Sequence, residues 1–265
     1  MFCLFLFVIS IYYSIDFFSK NLVKANYTDS NSNGMILSVF KNAFNNYLLE
    51  KNSIVNLSNK SLNKDYMFYI YNTHQSEGYE EGVKNPYNIK SNVVTASFIL
   101  KDELEKQGFN SLVEERDVMS IVKKNNWNYP YTYTVTRGFV NEIKNKYPNI
   151  KYFIDLHRDA LSKDNSTFVM NNKSYAKIMF TIGKDRDNLN NNLKRIEKLK
   201  EYINSNYKGI MRNDFYRDND HFNQYLDDNL FLIEVGGNYN TLEEVYNSLC
   251  VLAESFKFLE DNYEF

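Results

Sequence analysis

Lys151-Tyr152-Phe153-Ile154-Asp155-Leu156-His157-Arg158-Asp159-Ala160 is the stretch on which the fold reading turns. It opens as an apolar, β-prone run, the mark of a buried strand. It closes on ionisable side chains: Asp155, His157, Arg158 and Asp159. In open α/β sheets ligands bind beyond the carboxyl ends of the strands, so a histidine there is well placed for chemistry. Two other stretches have the same form. Tyr66 to Tyr71 runs into Asn72-Thr73-His74-Gln75-Ser76-Glu77, and Leu230 to Ile233 runs into Glu234-Val235-Gly236-Gly237-Asn238. The chain has 3 histidines. Two of them follow apolar strands, and a carboxylate follows a third, which points to one shared site.

The remaining sequence supplies the frame for these strands. Asn92 to Gln107 reads as a helix with Val94, Phe98, Leu100 and Leu104 inward and Gly108 as its stop. Phe109 to Glu115 reads as a short strand, and a loop holds Trp127, Tyr129, Pro130 and Tyr131. Thr132 to Lys146 is the next helix, stopped by Pro148. Ser174 to Ile182 reads as one strand, Asn188 to Asn206 as a polar-faced helix, and Gly209 to Asn213 as a short strand. Thr241 to Leu259 is an amphipathic helix, with Thr241 and Glu244 in a capping-box pattern. Strands alternating with helices of this length predict an α/β domain with a mostly parallel, twisted sheet covered by helices on both faces.

Composition narrows the function classes. The formal net charge is -2, which leaves no basic footprint for nucleic acid. Cys3 and Cys250 form no motif, so neither a disulfide framework nor a cysteine-type zinc site is expected. No glycine-rich phosphate loop is present. Phe2 to Phe18 is almost wholly apolar. It competes as a signal-peptide core, a membrane anchor or an amphipathic helix, and residues 1–20 are read as an uncleaved anchor. A span needs about 20 apolar residues, so the length is marginal. No Ala-x-Ala cleavage pattern follows it. Lys20 and Lys24 lie after it, which by charge alone favours a cytoplasmic carboxyl side and opposes export. Residues 21–64 are read as a tether with a short helix in Met35 to Leu49, and residues 65–265 as the catalytic domain.

The chemistry follows from the residue types. Amide hydrolysis needs a polarised carbonyl, an activated water and a general acid/base. A zinc ion held by three protein ligands supplies the first two, and a nearby carboxylate supplies the third. His74 and His157 are the natural nitrogen ligands. Glu77 stands three residues after His74, so a tight turn aims both at one ion; Glu80 or Glu81 is the alternative. Glu234 follows apolar residues, so burial is expected to raise its pKa and suit it as general base and then acid. Gly236 and Gly237 are expected to leave room for a ligand beside it. Asp155 is expected to orient a ligand from behind, and Arg158 to hold an oxyanion or a peptide carboxylate. A structural Asp155–Arg158 ion pair is the competing reading, and a salt bridge from Glu234 to Arg158 or a lysine is the bland one. His221 reads as a surface residue.

His-Gln-Ser-Glu-Gly-Tyr at 74–79, Ile-Asp-Leu-His-Arg-Asp-Ala at 154–160 and Leu-Ile-Glu-Val-Gly-Gly-Asn-Tyr-Asn-Thr at 232–241 resemble the three signature blocks of the stage II sporulation protein P family. The resemblance spans about Tyr66 to Leu259. It implies a membrane-tethered zinc amidase acting outside the cytoplasm on peptidoglycan, with lytic transglycosylase and membrane sporulation partners. It also implies His74 and His157 as metal ligands and Glu234 as the catalytic acid. The general muramoyl-alanine amidases place a ligand glutamate just before the first helix of the domain. Here that region reads Ile89-Lys90-Ser91-Asn92 without an acid, so the third ligand moves to Glu77. Two other functions compete: a zinc peptidase acting on the cross-links, and an inactive wall-binding module.

Overall fold

Phe68–Tyr71 (β1) has four side chains, Phe-Tyr-Ile-Tyr, that are all buried. A strand apolar on both faces is what a parallel sheet under two helical layers requires. The computed structural model describes residues 65–80 and 90–264. The expected anchor at 1–20 and the tether at 21–64 lie outside the described residues, as do Cys3 and Glu81. In chain order β1 is followed by α1 (Val93–Lys106), β2 (Ser111–Val113), α2 (Val118–Lys124), α3 (Thr132–Lys146) and β3 (Tyr152–Asp159). Then come a single turn, α4 (Lys163–Ser166), β4 (Thr167–Met170), β5 (Lys173–Ala176) and β6 (Ile178–Gly183). The chain closes with α5 (Leu189–Asn206), β7 (Phe215–Arg217), β8 (Leu230–Gly237) and α6 (Leu242–Asn262).

Six strands form one sheet in the order β2-β1-β3-β8-β6-β7. Every pairing in it is parallel except β6 against β8. Alternation along each strand builds two cores. Ile154, Phe231 and Ile233 face one way, against Val93 and Leu100 of α1, Ile196 and Leu199 of α5, and Leu252 and Phe256 of α6. Tyr69, Tyr71 and Phe153 face the other way, against Val118 of α2 and Val135, Phe139 and Val140 of α3. The α/β reading with helices on both faces therefore holds.

Local chemistry sets the element ends. Asn92 caps α1 by accepting from the Thr95 N–H at 3.0 Å, and Gly108 leaves it at φ +93. The α6 start carries the reciprocal capping box of Thr241 and Glu244.

Several boundaries differ from expectation. The run from Ser174 to Ile182 breaks at Lys177: its first part pairs with β4 as a separate hairpin, and only β6 joins the main sheet. Gly209 to Asn213 contributes an isolated bridge at Met211, and the edge strand lies further on, at Phe215–Arg217. Asp117 caps a further helix, α2, just ahead of the loop that holds Trp127. The inward stripe of α1 runs through Val93, Ala96, Leu100 and Leu104, while Phe98 faces solvent. The small residues Ala96 and Ser97 are part of the buried arc, which the spacing of the large residues alone does not show.

Candidate metal centre and active site

The turn after β1 is pinned at almost every residue. Asn72 donates to the Leu156 carbonyl at 2.6 Å and accepts from the Ser97 hydroxyl at 3.0 Å, tying the strand exit to β3 and α1. Gln75 donates to the Arg116 carbonyl at 2.8 Å and accepts from the Val118 N–H at 2.9 Å, tying the turn to α2. Between these anchors the Glu77 N–H donates to the His74 carbonyl at 3.0 Å. This tight turn folds Glu77 back onto His74, and the two side chains meet at 3.2 Å, Nδ1 to Oε1.

β3 brings the second histidine to the same point. His157 Nδ1 lies 3.3 Å from Glu77 Oε1. Two ligands on a tetrahedral zinc, with bonds of about 2.0–2.1 Å, stand about 3.3 Å apart. One donor atom each from His74, Glu77 and His157 lies within 4.8 Å of the others, so the three fit a zinc ion in spacing and in chemistry. Glu80, the alternative ligand, is exposed, and its N–H is spent on the Asn240 carbonyl at 3.0 Å.

Behind this trio sits Asp155, fully buried. Its Oδ1 accepts the Thr73 N–H at 2.8 Å and its Oδ2 accepts the Thr73 hydroxyl at 2.6 Å. Its Oδ1 also lies 2.9 Å from His157 Nε2, close but out of line for a well-formed hydrogen bond. Asp155 is thus occupied by Thr73 and His157, and the competing Asp155–Arg158 ion pair is not formed. The reason is alternation: neighbouring strand residues point to opposite faces. Arg158 instead gives its Nε–H to the Gly78 carbonyl at 2.8 Å, and its backbone N–H to Glu77 Oε2 at 3.0 Å.

Glu234 stands beside His157. The two are register partners in the parallel pairing of β3 and β8, on one face of the sheet. The residue therefore lies within its strand, which continues to Gly237, and not at the strand end. Its Oε2 is buried without a hydrogen-bond partner. No ion pair between Glu234 and Arg158 or a lysine is found among the described residues. The two glycines that follow do not open a space. A Cβ on Gly236 would lie 2.7 Å from Asn240 Oδ1, and one on Gly237 would lie 3.2 Å from the Asp159 carbonyl. They permit close packing of the protein on itself, and the expected room for a ligand is filled.

The environment drives the two glutamates apart. Burial opposes charge on Glu77, but hydrogen bonds from His157, His74 and the Arg158 N–H outweigh it and hold the carboxyl down to about 2. Burial pushes Glu234 up to about 7; His157 pulls against this, while Glu77, Asp159 and Asp155 add to it. Burial likewise opposes charge on His157, yet Asp155 and Glu77 hold it well above the usual imidazole range.

Two aromatic residues with no assigned role complete the surround. Tyr129 stacks on the His74 ring, with centroids 4.9 Å apart. Tyr133 meets that ring edge-on at 5.5 Å, its hydroxyl kept neutral by burial and by Asp155, Glu234 and Glu77. The only sequence signal for either is the aromatic run Trp127 to Tyr133. His221 is half-buried and accepts the Asn223 N–H at 3.2 Å. Asn223 in turn donates to the Tyr133 carbonyl at 2.9 Å, so this loop is folded onto α3.

The sequence model of the stage II sporulation protein P family matches residues 19–257. The chain belongs to that family. The match begins well ahead of β1 and takes in the whole of the stretch read as a tether, residues 21–64. Stage II sporulation protein P of Bacillus subtilis (strain 168) is 32% identical over 198 residues, covering 71% of this chain and 49% of that protein. The chain thus spans about half the length of this curated relative. Among solved structures, the CwlD amidase from Clostridioides difficile in complex with the GerS lipoprotein aligns with 74% of this chain and 100% of its own, at 16% identity and a TM-score of 0.43. The N-acetylmuramoyl-L-alanine amidase AmiC2 of Nostoc punctiforme aligns with 74% of this chain and 96% of its own, at 11% identity and a TM-score of 0.41. Among the described residues of this family member, no helix is long and apolar enough to cross a membrane.

Proposed function

We propose that the chain is a zinc-dependent N-acetylmuramoyl-L-alanine amidase, which cleaves peptidoglycan between muramic acid and the stem peptide during sporulation. The observation that carries this reading is the convergence of His74, Glu77 and His157 beside Glu234, whose Oε2 is buried and unpartnered. Membership in the family supplies the sporulation context.

In this reading His74, Glu77 and His157 hold the metal. A bound zinc polarises a carbonyl and activates a water. The Arg158 N–H fixes one Glu77 oxygen and leaves the other toward the two imidazoles. Asp155 faces His157 Nε2, which leaves Nδ1 as that ring's ligand atom. Glu234 Oε2, near neutral affinity for a proton, takes one from the attacking water and delivers it to the leaving amine. Tyr133 keeps its proton and so is a hydrogen-bond donor at the rim. The catalytic unit is proposed to work outside the cytoplasm, tethered through the apolar Phe2 to Phe18, with a lytic transglycosylase and membrane sporulation proteins as partners.

The test is digestion of purified peptidoglycan by the full chain, followed by mass spectrometry of the fragments. Intact free stem peptides support the amidase. Shortened peptides or split cross-links reveal a peptidase, and no release with metal bound reveals a wall-binding module. His157→Ala is expected to lose bound zinc by elemental analysis; full zinc content in a His74→Ala/His157→Ala variant overturns the site.

A further inference from the structure

Within residues 127–131, Trp-Asn-Tyr-Pro-Tyr, three large aromatic side chains stand in water. Trp127 is 39% exposed, Tyr129 47% and Tyr131 46%. Exposed aromatic rings cost free energy unless something covers them. These are also ordered among themselves. Trp127 and Tyr131 stack with centroids 5.3 Å apart and planes 26° from parallel. Tyr129 lies over the His74 ring. The segment therefore runs from open solvent to a side chain of the candidate metal centre. It is tied to α2, where the Trp127 N–H donates to the Val122 carbonyl at 3.0 Å, and it is closed on itself by the Tyr131 N–H, which donates to the Asn128 carbonyl at 3.0 Å. Pro130 stiffens the turn between the rings.

We propose that Trp127 and Tyr131 form a sugar-binding platform that seats the glycan strand next to the cleavage centre; this rests on the amidase reading. Flat aromatic faces complement the C–H faces of pyranose rings. The flanking side chains are amides, Asn126 and Asn128, suited to hydroxyl and acetamido groups. A neutral glycan needs no countercharge. A membrane surface would favour aliphatic neighbours for the rings; the exposed cations Lys123 and Lys124 end α2 just ahead of the amides. Tyr129 then marks the step from the sugar subsite to the amide to be cut.

Trp127 is the single tryptophan of the chain, so its fluorescence reports the platform alone. The full chain is titrated with oligomers of β-1,4-linked N-acetylglucosamine, which carry no cleavable stem peptide. A saturable change in Trp127 emission is expected, with Kd about 3- to 10-fold weaker in Tyr131→Ala. In sedimentation with insoluble peptidoglycan, Trp127→Ala is expected to bind about 3- to 10-fold more weakly. Trp127→Phe, which keeps a flat face, is expected to recover most of that binding. Unchanged zinc content and circular dichroism show that the variants fold. Emission that ignores the oligomers, or that responds only to anionic phospholipid vesicles, overturns the proposal. So does wall binding by Trp127→Ala equal to that of the parent. None of these readouts uses cleavage: an amidase failure appears as absent stem peptides with the Trp127 response intact, and a platform failure as the reverse.

Discussion

Glu77 and Glu234 show how one pocket separates two identical carboxyls. Both are largely withdrawn from water, and burial alone would raise each. Glu77 meets two imidazoles and an N–H donor and is held down to about 2, whereas Glu234 finds no donor and rises to about 7. Two titratable groups pushed apart in this way are suited to different roles, one as a permanent anion and one as a proton carrier. Glu234→Gln keeps the shape and removes the proton site. Its zinc content is expected to stay near the parent's while hydrolysis falls by at least about 100-fold. In the parent, kcat/KM is expected to rise with pH through a limb no higher than about 7, since a bound cation pulls Glu234 down from its metal-free value. That limb should vanish in whatever activity the variant retains. Stability carries its own sign. A carboxyl raised from 4.5 to about 7 binds more protons folded than unfolded across that range, so its contribution is present below pH 4.5 and lost as pH rises toward 7. The metal-free Glu234→Gln protein should therefore resist urea better than the parent at pH 8, with the gap closing toward pH 4.5. Zinc loss in this variant would make Glu234 a ligand instead.

At the scale of elements, β8 and the turn after it show what limits change near the site. Gly236 adopts φ +71, and a Cβ there would lie 2.7 Å from Asn240 Oδ1 and 2.8 Å from Ala176 Cβ. Asn240 is not free to move, because it holds the Gly237 N–H at 2.8 Å and donates to Thr167 and Glu244, each at 3.0 Å. A left-handed backbone costs an alanine about 1–2 kcal/mol, and overpacking costs about 1–3 kcal/mol more. Gly236→Ala is expected to lower Tm by roughly 5–15 °C in a scanning melt; an unchanged Tm would mean that the turn yields. This constraint is not visible in the sequence, where two glycines read equally well as space for a ligand. Other features were legible for a physical reason. Thr132–Lys146 is bounded as expected because its apolar spacing and the following Pro148 are local signals. The Thr241 capping box is likewise written within four residues. The α/β layering follows from strands that are apolar on both faces. What escaped depends on partners distant in the chain. Lys177 breaks an apolar run because β5 turns back on β4, a pairing that the run itself does not encode. The adjacency of His157 and Glu234 needs the strand order, and Tyr129 reaches His74 from 55 residues away.

At the scale of the molecule, the candidate centre joins parts that are separate in sequence. His74 and Glu77 come from the turn after β1, His157 from β3, Glu234 from β8, and the covering rings from the approach to α3 and its first turn. A metal bound there cross-links the sheet to that turn and should stabilise the whole domain, by about 4 kcal/mol at 1,000 times Kd. Binding must also displace a proton. In the metal-free protein Asp155 and Glu77 hold His157 well above the usual imidazole range, which favours its protonated form. Only the neutral ring can be a ligand. Glu77, held down to about 2, releases nothing at that pH. Zinc uptake at pH 7 is therefore expected to release about one proton from His157, read by titration calorimetry in two buffers of different ionisation enthalpy. Apparent affinity should then fall about tenfold per pH unit on acidification through this range. In Asp155→Asn the imidazole loses one of the two anions that keep it charged, so proton release at pH 7 should shrink. The ring also loses the group that orients it, and intrinsic affinity should drop about 10- to 100-fold. A variant that binds zinc as tightly as the parent with unchanged proton release would show that Asp155 serves Thr73 alone.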